Sequence, residues 1–499
     1  MRSQAVDHIA LLPLYAAAGT AVLALLADLF AGRRPVTVAV TLLGALATAV
    51  CAFAVVPANP TFCATGGCSW VPTSSAAVAA ALFAVLTAGV LAFSMPALRL
   101  GAAPAGEYCF LLACSMTGGV TVSYAGDLLT LIVGLETLTL PLYVLAGLRR
   151  FAPTERPSTR PAEAAVTFFL ISVVSTAIAL LGIALNYAAT GTVHLALLGP
   201  APVPFAALAG VGAALLVIGL AFKVAAVPLH AWAPSTYDGA PIPIAAYLST
   251  ASKLGGVLAL AAIVARLDTG AVLSALAVLT MTVGNLVALR QSRMVRLLAW
   301  SSVAQAGYIL AALAMGATGV PAALAYAAFF VVLELVAFGV VVALRPATLP
   351  ASAGQSGGTS ADFDGGTFGD YRGAARRHPW LGAAFVLAFA GLAGLPPGLA
   401  GLFAKVSVVE ALVAEGWIWL AAVVVVNAVI ALAYYVRVAA LLYTVPAQPG
   451  IAVTDPALVY DATHPRLPVS RPVAAALLAA TVVAAILGFA PQLLFDALT

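Results

Sequence analysis

The chain has 499 residues, of which 63% are hydrophobic and 8% are charged, and its formal net charge is +4. This composition excludes a soluble globular protein and indicates a polytopic membrane protein. The basic residues are scattered through short segments, so the positive charge does not indicate binding to nucleic acid. The sequence contains no P-loop, dinucleotide-binding glycine motif, haem motif or iron–sulfur cysteine cluster.

Fourteen apolar segments are long enough to cross the hydrocarbon core, which is ~30 Å thick and needs ~20 residues of helix. We therefore predict an all-α polytopic membrane protein with about fourteen transmembrane helices. The longest polar stretch, 346–378, is predicted to be a loop. The spans are predicted at residues 8–31, 36–57, 75–97, 105–124, 127–147, 163–189, 203–228, 241–265, 271–289, 295–316, 320–344, 380–414, 416–443 and 472–493.

The arginines predict the orientation of these spans. When the loops are numbered alternately, seventeen of the nineteen arginines fall on one side, and only Arg2 and Arg266 fall on the other. The positive-inside rule places the arginine-rich loops in the cytoplasm and both termini outside. Cys63 and Cys68 then lie in an outer loop, where a disulfide is chemically permitted. Zinc binding is not indicated, because neither histidine nor further cysteine lies nearby.

The chain has three lysines, Lys223, Lys253 and Lys405, and all three lie within predicted spans. A lysine near the centre of the bilayer costs at least ~3 kcal/mol, so such a residue is a functional hypothesis by default. Lysine can exchange its proton when it is buried, whereas arginine cannot. We therefore expect the three lysines to carry protons.

An acidic residue lies at a similar depth. Glu136 is nine residues after Asp127, which places it ~13 Å into its span. A carboxylate at this depth must face protein or water and normally pairs with a cation. The alternative to a proton-transfer role is a structural ion pair that fixes helix packing.

Two of the lysines lie beside predicted helix breaks. Pro228 and Pro234 follow Lys223, and the Gly-Leu-Pro-Pro-Gly segment containing Pro396 and Pro397 precedes Lys405. Prolines remove backbone donors, and interrupted helices at membrane depth line protein interiors or wet cavities. Paired interruptions in separate halves of a chain indicate inverted repeats with the working site at the interruptions.

Other polar residues near the lysines are candidate relay groups, and several of them also have an ordinary explanation. The histidine could pack at the helix break, the hydroxyl groups could join neighbouring helices, and the buried carboxyl group could be a protonated core residue. The last glutamate could belong to an exit path toward the outer surface. These candidates are His230, Tyr247, Ser249, Ser252, Glu334 and Glu410.

Several longer motifs, in this order, closely resemble the antiporter-like subunits of respiratory complex I, the proton-pumping NADH:quinone oxidoreductase. The match covers nearly the whole chain. The motifs are Gly134-Leu-Glu-Thr-Leu-Thr-Leu-Pro-Leu-Tyr143, Lys223 with Pro228-Leu-His-Ala-Trp-Ala-Pro-Ser-Thr-Tyr-Asp-Gly-Ala-Pro241, Ser252-Lys253, Arg296-Leu-Leu-Ala-Trp-Ser-Ser-Val-Ala-Gln-Ala-Gly-Tyr308, Leu392-Ala-Gly-Leu-Pro-Pro397 with Lys405, and Tyr434-Tyr-Val-Arg437.

The resemblance implies two inverted five-helix repeats, formed by the fourth to eighth and the ninth to thirteenth spans. The chain then divides into residues 1–104, 105–265, 266–443 and 444–499. Glu136 would pair with Lys223 beside a neighbouring subunit, Lys253 would connect inward, and Lys405 would load protons toward the outside. Redox chemistry elsewhere would drive this relay.

The resemblance also implies a bacterial cell membrane location and an enzyme complex in which this chain is a non-redox subunit. Flavin, iron–sulfur clusters and quinone are expected in partner subunits, with no cofactor or metal in this chain. The expected partners are a second antiporter-like subunit, small membrane subunits and lipids.

Within the family, the M type carries glutamate at the position of Lys405, and the L type carries a long C-terminal extension, so the chain most resembles the N type. It departs from the family at Gln305, where histidine is common, and at Glu334, where the residue is usually uncharged. The rival interpretations are a subunit of a multi-subunit cation/proton antiporter or membrane-bound hydrogenase, and a passive scaffold whose buried charges only lock helices together.

Overall fold

The structure is a computed structural model that describes residues 6–56, 58–64, 66–148, 160–344, 365–444 and 469–493. The predicted loop 346–378 is therefore described only from residue 365 onward. The arginines of the orientation argument that lie outside the described residues are Arg2, Arg149, Arg150, Arg156, Arg345 and Arg466.

Helices account for almost all of the described secondary structure. The N-terminal part contains α1 (Leu12–Ala31), α2 (Arg34–Ala54), α3 (Ser74–Leu100), α4 (Ala105–Tyr124), α5 (Leu128–Gly147), α6 (Arg160–Thr190), α7 (Ala206–Ala221), α8 (Trp232–Gly239), α9 (Ile242–Tyr247) and α10 (Lys253–Val264). The C-terminal part contains α11 (Gly270–Ala288), α12 (Met294–Leu313), α13 (Val320–Leu344), α14 (Ala374–Arg377), α15 (Pro379–Ala393), α16 (Leu399–Ala414), α17 (Ile418–Tyr443) and α18 (Arg471–Phe489).

These helices confirm the predicted all-α membrane fold. Eleven helical segments of the described chain are long and apolar enough to cross a membrane by themselves, including one continuous segment formed by α9 and α10. The other three predicted crossings are α4, α12 and the pair α15–α16. Helix α12 can carry the polar residues Ser301, Ser302 and Gln305 because it is buried inside the protein.

A small β-hairpin at one end of the bundle was not predicted from the sequence. Strands β1 (Thr61–Ala64) and β2 (Gly67–Trp70) pair antiparallel, and Cys63 is disulfide-bonded to Cys68. The Trp70 indole donates a hydrogen bond to the Ala10 carbonyl at 2.9 Å. The hairpin therefore ties the loop after α2 to the segment that precedes α1.

The first helix break differs in detail from its prediction. Helix α7 ends at Ala221 and α8 begins at Trp232, so Lys223 lies in the break itself and not in the helix before it. Pro228 lies in the break, as predicted. The prediction that Pro234 breaks the helix is wrong, because Pro234 is the third residue of α8. The first turn of a helix tolerates proline, since its N–H groups have no intrahelical acceptor.

The second break follows its prediction. Helix α15 ends at Ala393, α16 begins at Leu399, and Pro396 and Pro397 lie between them. Gly394 ends α15 with a φ of +82°, in the left-handed region where glycine has no steric penalty. This turn lets two half-helices replace one long span, and it leaves the last carbonyl groups of α15 free to accept other donors.

Burial separates an inner group of helices from a lipid-facing shell. Nearly every residue of α12 and α13 is buried. The outer helices instead expose large apolar side chains, such as Phe30 of α1, Leu181 of α6 and Val429 of α17. Apolar exposure of this kind fits hydrocarbon surroundings, and it leaves the polar side chains of the bundle to be satisfied inside the protein.

Candidate functional site

The first polar site joins α5, α6 and the break after α7. The Lys223 side chain is only 3% exposed, and its Nζ donates to Glu136 Oε1 at 2.8 Å, Thr139 Oγ1 at 3.0 Å and Ser172 Oγ at 3.3 Å. These three acceptors match the three N–H groups of an ammonium. Thr176 donates a second hydrogen bond to Glu136 Oε1 at 2.7 Å.

Helix periodicity places these partners on common faces. Thr139 lies three residues after Glu136 on α5, and Ser172 and Thr176 are four residues apart on α6, so each pair shares a helix face. The backbone leaves the helical path at the end of α7, and the Lys223 side chain extends toward α5 and α6. The predicted Glu136–Lys223 pair is thus present in the structure.

A glycine of α10 allows close approach to this site. A Cβ atom on Gly256 would lie 2.8 Å from Cβ of Lys223, which is closer than real side chains pack. Gly256 is three residues after Lys253, so the absence of its side chain lets the helix that carries the second lysine pack against the break that carries the first.

Among the described residues, the hydrogen-bond acceptors of the second lysine are uncharged. Lys253 is 1% exposed, and its Nζ donates to the Ser302 carbonyl at 2.6 Å and to Ser302 Oγ at 2.5 Å. Ser302 Oγ also shares a 3.0 Å hydrogen bond with Ser249 Oγ. One turn of π-helix, Leu248–Ser252, directly precedes Lys253. Such turns are rare and often occur at functional sites.

The third lysine reaches across the second helix break. Lys405 of α16 is 7% exposed, and its Nζ donates to the carbonyl groups of Leu392 at 2.6 Å and Ala393 at 2.7 Å. These are the last carbonyls of α15, where the helix dipole favours a positive charge. No carboxylate among the described residues forms a salt bridge with Lys405. The two helix breaks therefore hold their lysines in different ways.

Two sets of hydrogen bonds, one at Ser302 and one at its chain neighbour Ser301, lie between the second and third lysines. Ser301, adjacent to Ser302, shares a 2.5 Å hydrogen bond with the Tyr435 hydroxyl. Gln305 donates to Tyr435 at 3.0 Å and to the Leu392 carbonyl at 2.9 Å, the same carbonyl that Lys405 uses. Gln305 therefore lies within this polar path, although an amide cannot exchange protons as the histidine common in the family can.

Each lysine also faces an aromatic ring. The Nζ atoms lie 5.5 Å from the Phe222 ring centroid for Lys223, 5.5 Å from that of Phe330 for Lys253, and 5.3 Å from that of Tyr308 for Lys405. Rings at this distance attract a cation while remaining compatible with a neutral amine. The arrangement is suited to groups that alternate between charged and neutral states.

Two of the candidate relay residues are not joined to a lysine by any contact among the described residues. His230 Nδ1 is 3.2 Å from the Pro228 carbonyl, and its ring packs beside Trp300. The Tyr247 hydroxyl shares a 3.1 Å hydrogen bond with Thr87. Both contacts fit the ordinary packing explanations. Relay roles for His230 and Tyr247 stay predictions without geometric support.

The remaining candidates lie closer to the lysines. Ser249 joins Lys253 through Ser302, and Ser252 is buried and adjacent to Lys253 in the chain. The exposed Glu410 lines an apolar cavity of about 530 Å³ between α16 and α17, which Lys405 also lines. An exit route past Glu410 stays a prediction. The cavity lined by both Lys405 and Glu410 is a space through which such a route could pass.

Sequence reasoning missed several members of the polar sites. Thr139 could have been found, because it lies one turn after Glu136 on the same helix. Ser172 and Thr176 form an i, i+4 pair in the sixth span, which is a weak signal. The contacts of Ser302 and Tyr435 had no signal in the sequence, because they depend on how α12 packs against α10 and α17. No group of His, Cys, Asp and Glu side chains suited to a metal ion occurs in the described part of the chain.

The sequence was also compared with protein-family models. The model described as NADH:quinone oxidoreductase/Mrp antiporter, TM, matches residues 125–431, which include Glu136, Lys223, Lys253 and Lys405. The chain belongs to this antiporter family. The matched residues include both helix breaks and the three buried lysines.

Curated members of the family are similar over most of their length. The chain is 56% identical to NADH-quinone oxidoreductase subunit N of Salinispora tropica, over 99% of this chain and 98% of that protein. It is 41% identical to NADH-quinone oxidoreductase subunit N 2 of Streptomyces griseus, over 89% of this chain and 84% of the relative.

Solved structures share the fold of this antiporter-family chain. A chain of respiratory complex I from Thermus thermophilus with bound aureothin has a TM-score of 0.78 and 28% identity, with 98% of this chain and 99% of that chain covered. A chain of the Mrp complex from Dietzia has a TM-score of 0.81 and 24% identity, covering 98% and 96%. The latter likeness establishes the fold alone.

Proposed function

We propose that this chain is the antiporter-like, proton-translocating N-type subunit of an NADH:quinone oxidoreductase, and that it contributes no redox chemistry of its own. The near full-length similarity to a curated subunit N, at 56% identity, carries this proposal. Flavin, iron–sulfur clusters and quinone would lie in partner subunits. The chain would take part in the enzyme's reaction by coupling to it mechanically or electrostatically.

The relay that we propose runs from Glu136 and Lys223 through Lys253 to Lys405. Separation of the 2.8 Å ion pair would change the local charge near Gly256 and favour proton loss or gain at Lys253. From Lys253, the serines, Tyr435 and the Leu392 carbonyl lead toward Lys405. Internal water would complete the steps at which these groups cannot pass a proton themselves.

The exposure of Glu136 supports a neighbouring membrane subunit at this face. The Glu136 side chain is 24% exposed, although it lies at the middle of α5, among exposed apolar residues such as Val133 and Leu140. A carboxylate at this depth is costly when it faces lipid. A partner subunit covering this face would remove that cost, and it could bias the ion pair during turnover. Lipids would cover the other apolar faces.

We propose that the arginine-rich ends of the helices face the cytoplasm of a bacterial cell and that both termini lie outside. The Arg34 guanidinium donates to the carbonyl groups of Leu98 and Arg99, so arginines of two loops meet at one end of the bundle. Arg437 donates to Leu289 and Gln291 in the same way. This concentration of basic groups at shared ends supports the positive-inside assignment.

We also divide the chain into an N-terminal unit of three spans (1–104), a first repeat (105–265), a second repeat (266–443) and a C-terminal unit (444–499). The two helix breaks support this division, because α7–α8 is the fourth span of the first repeat and α15–α16 the fourth span of the second. Each break holds a buried lysine, and interrupted helices at corresponding positions of two halves are typical of inverted repeats.

The proposal is tested by purifying the tagged chain from its native membrane in mild detergent and identifying the copurifying proteins. We expect flavin- and iron–sulfur-containing subunits together with NADH:quinone reductase activity. A set consisting only of membrane subunits that exchange cations for protons would support the antiporter alternative, and hydrogen-evolving partners would support a hydrogenase. Either result would contradict the proposal.

A further inference from the structure

A second buried carboxyl group lies next to the second lysine, and the relay described above does not use it. Glu334 on α13 is completely buried, and neither of its carboxylate oxygens has a hydrogen-bond partner among the described residues. The Tyr237 hydroxyl of α8 is likewise buried and without a described partner. Buried polar groups are almost always hydrogen-bonded, so three such oxygens in one region require an explanation.

Helix geometry brings these groups to one face of α13. Phe330, Glu334 and Phe338 are spaced four residues apart and therefore share a face. Lys253 Nζ lies 5.5 Å from the Phe330 ring centroid, and the Tyr237 ring lies 6.3 Å from the Phe338 ring centroid. Glu334 is thus positioned between the lysine on one side and the tyrosine on the other.

The charges of this group are also close enough to interact. The Glu334 carboxyl group interacts electrostatically with Lys253, and Ser249 lies nearby without completing a hydrogen bond in the structure. Lys253 donates two hydrogen bonds to Ser302, which leaves one N–H group of an ammonium for another acceptor. Both the lysine and the carboxyl group therefore have unused hydrogen-bonding capacity.

We infer that Glu334 is the acid partner of Lys253 and is joined to it by internal water that also binds the Tyr237 hydroxyl. A water molecule can donate to an ionised carboxylate or accept from a protonated one, so it satisfies Glu334 in either state. The proton moves from the Lys253 ammonium through water to the Glu334 carboxylate, which leaves a neutral amine and a carboxylic acid. The net charge of the pair does not change.

This inference rests on the proposed relay and adds a second acid–lysine pair to it. In the first pair, Glu136 contacts Lys223 directly, whereas the second pair is separated by water. Glu334 would hold the proton that leaves Lys253 before it continues toward Lys405. A purely structural role for Glu334 is disfavoured, because an unpaired buried carboxyl group weakens packing that an apolar residue of similar size would improve.

The test uses the whole assembled complex in proteoliposomes and compares Glu334→Gln, Glu334→Leu and Glu334→Asp with wild type. Infrared difference spectroscopy would follow the C=O band of the protonated carboxyl group, and proton uptake would be measured per NADH oxidised. We expect Glu334→Gln and Glu334→Leu to lose one carboxyl band and to pump fewer protons. Glu334→Asp should keep a shifted band and part of the pumping.

Tyr237→Phe and Lys253→Met should each shift the Glu334 band, because they remove a group that shares its water. Glu415→Gln, an exposed acid at the end of α16, is the matched control and should leave the band and pumping unchanged. Wild-type pumping by Glu334→Leu, or a Glu334 band that neither substitution shifts, would overturn the inference. Glu136→Gln is assayed in the same type of preparation. Normal pumping by Glu136→Gln would mean that the proposed relay itself fails, whereas reduced pumping would leave the relay intact and confine a negative result to Glu334.

Discussion

Replacement of Glu136 by glutamine should uncouple proton pumping from electron transfer. The substitution keeps the size of the side chain and one acceptor oxygen, and it removes the charge. Lys223 then retains Thr139 and Ser172 as acceptors, at 3.0 and 3.3 Å, and loses only the ionic partner. The site should therefore remain folded while the free energy that favours the protonated lysine falls.

The size of this effect follows from the geometry. Two unit charges separated by the observed 2.8 Å attract each other by about 6 kcal/mol at an effective dielectric constant of ~20. Glu136 is 24% exposed and the neutral acceptors remain, so we expect about half of this value, about 3 kcal/mol. That change corresponds to roughly a hundredfold shift of Lys223 toward its neutral form.

The assay measures protons transported per NADH oxidised by the purified complex in proteoliposomes. We expect a lower ratio for Glu136→Gln, with NADH oxidation by an artificial electron acceptor unchanged. Glu107→Gln is a matched control, because it makes the same chemical change at an exposed residue in the first turn of α4. A wild-type ratio in an assembled Glu136→Gln complex would contradict the relay role of the ion pair and leave the pair with a structural role only.

Ser302→Ala should slow proton pumping without abolishing it, because Lys253 loses the hydroxyl acceptor at 2.5 Å but keeps the carbonyl at 2.6 Å; unchanged pumping kinetics would contradict this. After reduction, Cys63 and Cys68 should react with a membrane-impermeant thiol reagent in intact cells, and labelling only in inside-out vesicles would reverse the assigned orientation. The chain reconstituted alone should bind no redox cofactor and drive no uphill transport, and stoichiometric flavin, haem or iron in the purified chain would contradict this.

The fold was largely predictable from the sequence because a bilayer imposes few structural choices. Apolar length predicted fourteen spans, eleven of which are helical segments long and apolar enough in the described chain to cross a membrane by themselves. The Pro-Pro segment predicted the second helix break. The first break was less well predicted. Pro234 was predicted to break a helix, yet it lies in the first turn of α8, and the position of Lys223 between helices depends on tertiary packing. The hairpin of β1 and β2 was missed because its strands have only four residues each.

The site was predictable where charge alone identified it. Glu136 and the three lysines are conspicuous at membrane depth, and the structure joins Glu136 to Lys223. The uncharged members were not predictable, because serine, threonine and tyrosine also occur as ordinary helix-packing residues. The partner of Glu334 was also not predictable, although its charge was conspicuous. Its sequence position gave no cation partner, and only the packing of α13 against α10 brings it near Lys253.

The proposed relay requires that Lys405 exchange protons and not merely supply positive charge. Lys405→Arg tests it most directly, because arginine keeps the charge and can still donate to the carbonyl groups of Leu392 and Ala393, but it cannot lose its proton. The measurement is the number of protons transported per NADH oxidised by the assembled complex. We expect a clearly lower number than in wild type, and a wild-type number would show that the residue at position 405 only supplies positive charge.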